Sequence, residues 1–111
     1  MASPLEITPQ QVKQRLDAGE KLQWIDVREP HEFALAKIEG ATLVPMRSVP
    51  GELQSLEARA DEAPLIVYCH HGVRSAHVAA FLDRAGFGTV YNLAGGIDAW
   101  SRDVDPGVPR Y

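Results

Sequence analysis

Short apolar runs alternate along this chain with segments in which apolar residues recur every three or four positions. Apolar runs bounded by turn-forming residues are typical of β-strands, whereas the three-to-four spacing is typical of one buried helix face. The pattern predicts strands over 22–27, 41–44, 65–68 and 89–93, and helices over 9–19, 30–33, 52–60 and 75–86. Strands that alternate with helices in this order predict an α/β domain with a largely parallel sheet.

The first predicted helix carries start and stop signals. Thr8 is expected to cap its amino terminus, Pro9 fits the first helical position, and Gln11 completes the spacing of a capping box. Gly19 is expected to end the helix. A glycine pair at 95–96 predicts a turn between the last strand and a short carboxyl-terminal segment.

The 111 residues leave room for a single domain over 1–111. We expect a folded core over about 5–101 and an extended tail over 102–111 on the surface. A chain of this size buries enough apolar surface to fold without a metal or a disulfide, and we expect no cofactor.

The net charge and the lengths of the apolar runs limit which partners the protein can bind and where in the cell it can be. The net charge of −4 argues against a nucleic acid, because phosphate binding needs a basic patch. No apolar run approaches the ~20 residues that span a bilayer, so we expect no membrane association. Residues 1–4 do not resemble the start of a signal peptide. One cysteine and no evident export signal predict a reducing, cytoplasmic setting. Nothing in the sequence demands more than a monomer, so we expect a monomer.

Cys69 is the candidate nucleophile. It lies where the strand predicted over 65–68 gives way to a glycine-containing loop that leads into a helix. Backbone N–H groups of such a loop converge, and the positive end of the helix dipole points into it, which favours the reactive thiolate. The candidate substrate-binding residues are the six that follow the cysteine: His70, His71, Gly72, Val73, Arg74 and Ser75.

Each polar residue of this loop has an expected role. Gly72 can adopt backbone angles that let the loop curl, and Arg74 offers a planar cationic fork matched to oxyanions. Ser75 is expected to be the helix N-cap, while His70 and His71 add positive or hydrogen-bonding character at the rim.

Two other interpretations of Cys69 are weaker. A free cysteine often serves as a small buried hydrophobe, yet such a residue needs no company of histidines, glycine and arginine. A metal site at 69–71 is disfavoured because adjacent residues rarely point at one ion. We therefore expect no metal.

Four segments of the chain together resemble the rhodanese (thiosulfate sulfurtransferase) family. The loop over 69–75 is similar to the family's active-site loop. Segment 25–30, with Glu32 and Phe33 after it, resembles the amino-terminal signature, and segment 38–41 resembles the segment that follows that signature. Segment 93–100 resembles its carboxyl-terminal signature. The resemblance implies a rhodanese-like α/β fold with a five-stranded, mainly parallel sheet flanked by helices on both faces.

The resemblance also implies a reaction. Cys69 would take the outer sulfur of thiosulfate or a similar small-molecule donor as a persulfide and pass it to an acceptor such as cyanide or a thiol. A thiol protein or a sulfur-carrier protein is an alternative acceptor, since the tail over 104–111 is similar to tails of rhodanese domains attached to sulfur-carrier-activating enzymes. Arg74, with help from His70, would hold the sulfonate end of thiosulfate.

Several charged residues outside the loop are assigned to structure. Asp26 and Arg28 are expected to form a buried ion pair or a loop brace near the carboxyl edge of the sheet, with Glu39 as a candidate partner. Lys37 departs from the family pattern, which often has a histidine at this position, without touching the nucleophile.

Two rival functions stay open. A cysteine-dependent phosphatase or arsenate reductase uses a similar cradle, but those loops have five residues between cysteine and arginine, and this loop has four. A smaller ring suits a sulfur atom better than a phosphoryl group. A non-catalytic regulatory module is the second rival, although such modules usually lack the cysteine.

Overall fold

A computed structural model describes residues 5–111, so the observation on residues 1–4 lies outside the described part. Five strands form one sheet: β1 (Glu6–Ile7), β2 (Gln23–Asp26), β3 (Thr42–Leu43), β4 (Leu65–Tyr68) and β5 (Val90–Leu93). The strand order is β1-β5-β4-β2-β3 and every pair is parallel. The five-stranded parallel sheet is therefore confirmed, with β4 at its centre.

Five α-helices connect and cover the strands: α1 (Pro9–Asp17), α2 (Pro30–Leu35), α3 (Leu53–Glu62), α4 (Val73–Arg84) and α5 (Gly96–Asp103). The capping box at the start of α1 is present, with the Gln11 amide donating to Thr8 Oγ1 at 3.1 Å and the Thr8 amide donating to Gln11 Oε1 at 2.9 Å. A 3₁₀ helix over Met46–Glu52 precedes α3. Within the described residues, no helix is long and apolar enough to cross a membrane.

The core lies in two layers, one on each face of the sheet. On one face, Val67 packs in a cluster with Leu56 of α3 and Leu82 of α4. On the other face, Ile66 packs in a cluster with Val12 of α1 and Ile97 of α5. All four residues of β4 are buried, as expected of a strand covered on both faces.

Two details of the chain differ from the sequence prediction. Strand β1 was not predicted, because two residues carry no periodicity, and its pairing to β5 holds it in the sheet. The tail is also shorter and less extended than expected. Helix α5 continues to Asp103, Val108 is buried, and the Tyr111 ring stacks on His70 in the loop that follows β4.

Candidate active site

Three hydrogen-bond donors converge on the sulfur of Cys69. The backbone amide of Gly72 lies 3.1 Å from Cys69 Sγ, the amide of Ser75 lies 3.4 Å away, and the Ser75 hydroxyl lies 3.3 Å away. Cys69 is only 1% exposed, so these donors act where little water competes with them. The arrangement stabilises negative charge on this sulfur or on an atom bonded to it.

The start of α4 explains why the donors are free to face the sulfur. Gly72 is the N-cap with φ of +99°, a left-handed conformation that favours glycine. The first amides of a helix have no acceptor within the helix, so the Ser75 amide can donate to Cys69. The prediction that Ser75 caps the helix is wrong, because the helix begins at Val73 and the buried Ser75 hydroxyl points to the sulfur.

Helix α5 fixes the other side of the loop. Its first-turn amides donate to loop carbonyls, Ile97 to Cys69 at 2.9 Å and Asp98 to His70 at 3.1 Å. Gly96, with φ of +64°, lies so close that an added Cβ would stand 2.5 Å from the Cys69 carbonyl oxygen. The predicted glycine pair therefore allows α5 to pack directly on the loop backbone.

Gly96→Ala is expected to displace the loop and to lower the free energy of unfolding by about 2–5 kcal/mol, since it combines a left-handed backbone with a clash against rigid backbone atoms. Urea unfolding measures the loss, and the rate of Cys69 alkylation reports the displaced loop. Gly88→Ala is the matched control, because an added Cβ at Gly88 meets no atom within 4 Å. Equal stability of the two variants would contradict the tight contact at Gly96.

Glu32 holds Arg74 through two hydrogen bonds, a contact that the sequence analysis did not predict. Arg74 Nη1 donates to Glu32 Oε1 at 2.7 Å and Nη2 donates to Oε2 at 3.0 Å. These bonds from Arg74 keep the pKa of the Glu32 carboxyl well below its usual range, against the opposing effect of burial. The guanidinium expected to bind an oxyanion is thus already oriented by a carboxylate.

Asp26 and Arg28 form the buried ion pair that was expected. Arg28 Nη2 lies 2.6 Å from Asp26 Oδ2, and both side chains have zero exposed area. Burial opposes the charge of Arg28, yet its hydrogen bonds to Asp26 and Tyr111 raise its pKa above the usual range. Glu39, the candidate partner, is exposed.

The two histidines of the loop stack on each other. The ring centroids of His70 and His71 are 3.9 Å apart with an interplanar angle of 24°. Burial lowers the pKa of His70, and the nearby His71 adds to that effect. The buried Nε2 of His70 has no hydrogen-bond partner within the described part of the chain.

Among residues 5–111, His70, His71 and Asp98 form a group that could offer ligands to a metal ion, since their ligand atoms lie within 4.8 Å of one another. The set excludes Cys69, and Arg110 already binds both oxygens of Asp98, at 2.9 and 3.2 Å. A cation there would compete with that guanidinium for the carboxylate.

The remaining candidate residue and one unpredicted residue complete the loop. Val73 is 68% exposed at the first position of α4. Asn92 is buried at the end of β5, and its side-chain amide donates to the Gly72 carbonyl at 3.2 Å and to Glu6 Oε2 at 2.6 Å. Asn92 thereby supports the residue whose amide faces the sulfur.

The fold, the loop after the central strand and its cysteine define a class of protein. The profile of the rhodanese-like domain matches residues 8–103, and the chain belongs to that family. The expected resemblance is confirmed. The cysteine loop lies at the carboxyl edge of the parallel sheet, where ligands of α/β sheets bind.

The similar proteins differ in length: one is much longer than this chain, and another has about the same length. The chain is 38% identical over 105 residues to the probable adenylyltransferase/sulfurtransferase MoeZ of Mycobacterium tuberculosis, which covers 95% of this chain and 26% of that protein. The chain thus spans about a quarter of that longer relative. It is 37% identical over 100 residues to the thiosulfate sulfurtransferase GlpE of Pseudomonas aeruginosa, covering 90% of this chain and 86% of that protein.

A solved structure agrees with the fold. The rhodanese-like domain protein of Staphylococcus aureus superposes with a TM-score of 0.77 at 32% identity, covering 96% of this chain and 97% of that one. The match extends over almost the whole of both chains.

Proposed function

We propose that this protein is a sulfurtransferase that moves a sulfane sulfur from thiosulfate, or a similar donor, to a thiophilic acceptor through a persulfide on Cys69. The observation that carries the proposal is the convergence of the Gly72 amide, the Ser75 amide and the Ser75 hydroxyl on the Cys69 sulfur. The names of the sulfurtransferase relatives support the same class of reaction.

In the first step, the Cys69 thiolate attacks the outer sulfur of thiosulfate. A sulfur–sulfur bond to Cys69 forms, the sulfur–sulfur bond of thiosulfate breaks, and sulfite leaves with the bonding electron pair. In the second step, cyanide attacks the terminal sulfur, thiocyanate leaves, and the thiolate returns. The covalent intermediate divides one difficult transfer into two easier ones.

The loop is suited to the charge that moves during these steps. Both the thiolate and the persulfide are anions, and the three donors are in place before the reaction begins. Arg74 adds positive charge at the edge of the loop, although Glu32 offsets part of it. We therefore assign binding of the donor sulfonate to the loop amides and Arg74 together, with a further contribution from His70.

The acceptor in the cell is proposed by class only. A small thiol or a thiol-bearing protein would meet the chemical requirement, since either can attack the terminal persulfide sulfur. We place this chemistry in a reducing compartment, the cytoplasm. An oxidising compartment would oxidise the single thiol.

The test is the intact mass of the protein after incubation with thiosulfate. A gain of about 32 Da, lost again on addition of cyanide, is expected from a persulfide. Protein whose Cys69 has been blocked with iodoacetamide is the control, because Cys69 is the only cysteine. A reduced protein that gains no sulfur, yet cleaves p-nitrophenyl phosphate, would move the assignment to the phosphatase class. A protein inactive in both assays would be a regulatory module.

A further inference from the structure

The aromatic ring of Tyr111 lies on the active-site loop. Its centroid is 3.9 Å from that of the His70 imidazole, and the two rings are nearly parallel at 9°. Since His70 also stacks on His71, the residue next to Cys69 is shared by two stacked ring pairs.

The hydroxyl of Tyr111 makes two hydrogen bonds. It donates to Glu32 Oε2 at 2.8 Å and accepts from Arg28 Nη1 at 2.7 Å. Because Glu32 also binds Arg74, Tyr111 contacts one end of the loop directly through His70 and the other end through Glu32. The side chain is therefore linked to both ends of the loop that surrounds the sulfur, directly at His70 and through Glu32 at Arg74.

Arg110, the residue before Tyr111, also holds this part of the chain near the loop. Arg110 Nε lies 2.9 Å from Asp98 Oδ1 in the first turn of α5. In the described part of the chain, no backbone–backbone hydrogen bond involves Arg110 or Tyr111. Side-chain contacts hold this end of the chain over the loop, and such contacts can open without disrupting the sheet or a helix.

The hydroxyl of Tyr111 can donate to Glu32 at neutral pH. Burial raises the pKa of Tyr111 to about 12, so its hydroxyl remains protonated and able to donate to Glu32. Tyr111 is 38% exposed, so part of the residue faces solvent while its ring stacks on His70. Cys69 is 1% exposed, so a large molecule reaches its sulfur only after a covering group moves.

We propose that Tyr111 determines acceptor size in this protein. In place, it leaves the Cys69 sulfur accessible to small reagents such as cyanide, and it must swing away before a bulky thiol can react. The identity of the acceptors rests on the proposed sulfurtransferase function. The proposed control of access to Cys69 by Tyr111 does not, and simple alkylation tests it.

The experiment compares the alkylation rates of Cys69 with a small reagent, iodoacetamide, and a bulky one, fluorescein maleimide. Cys69 is the sole cysteine, so intact mass reports one reaction. Tyr111→Ala is expected to accelerate the bulky reagent about 10-fold and the small one less than about 2-fold. Tyr111→Phe, which keeps the ring and loses both hydroxyl contacts, is expected to give an intermediate acceleration.

Tyr91→Ala is the matched control, because Tyr91 is a part-buried tyrosine whose hydroxyl accepts from Arg15 rather than contacting the loop. An unchanged rate for the bulky reagent in Tyr111→Ala, an equal acceleration of both reagents, or the same acceleration in Tyr91→Ala would overturn the proposal. Faster bulky alkylation in a protein that forms no persulfide would retain the cover and reject the sulfurtransferase function.

Discussion

Cys69→Ser is expected to abolish sulfur transfer from thiosulfate to cyanide, lowering turnover by at least about 1,000-fold. A serine oxygen does not form a stable bond to sulfane sulfur in place of the persulfide. The same three donors can hydrogen-bond the hydroxyl, so the fold is expected to persist. Thiocyanate production measures turnover, and circular dichroism with urea unfolding measures the fold.

Cys69→Ala is the companion variant, since it removes the nucleophile without putting another polar side chain in its place. Both variants should be equally inactive, and neither should gain mass with thiosulfate. If Cys69→Ser kept more than a tenth of the wild-type turnover while remaining folded, Cys69 would not be the nucleophile.

Asp26→Ala is expected to lower the free energy of unfolding by about 3–5 kcal/mol, because it leaves the guanidinium of Arg28 buried without its counter-charge. Arg28 cannot escape this penalty by losing its proton, since guanidinium stays charged in proteins. Its remaining partners are the Ala36 carbonyl and the Tyr111 hydroxyl, both neutral. Urea unfolding followed by circular dichroism measures the change.

Two further variants keep this prediction sharp if Asp26→Ala fails to fold. Asp26→Asn/Arg28→Met removes both charges, and it should be less destabilised than the sum of the two single substitutions. Asp17→Ala is the surface control, because Asp17 pairs with Lys13 in the exposed part of α1 and should leave the unfolding midpoint unchanged. An Asp26→Ala variant as stable as the control would show that the pair is dispensable.

Features that depend on residues close together in the chain could be predicted from the sequence. The capping box of α1 and the strand that leads to Cys69 depend on residues close together in the chain, and both are confirmed. The placement of the ion pair between Asp26 and Arg28 is also local, since the two residues are separated by one position.

Contacts between distant segments could not be predicted in the same way. Glu32 meets Arg74, and Tyr111 meets both Glu32 and Arg28, only after the sheet has brought the segments together. The role of Ser75 was wrong for a related reason. Glycine at position 72 starts the helix early, and one residue type cannot reveal whether a serine caps a helix or faces a sulfur.

Different atoms of the loop contact the sulfur and helix α5. The contacts to the sulfur come from two backbone amides and one hydroxyl, and α5 grips the loop through the carbonyls of Cys69 and His70. The side chains of His70, His71 and Val73 take part in neither set. Substitutions at these three positions can therefore change which donors and acceptors are bound while the hydrogen bonds to the sulfur and the contacts of α5 remain.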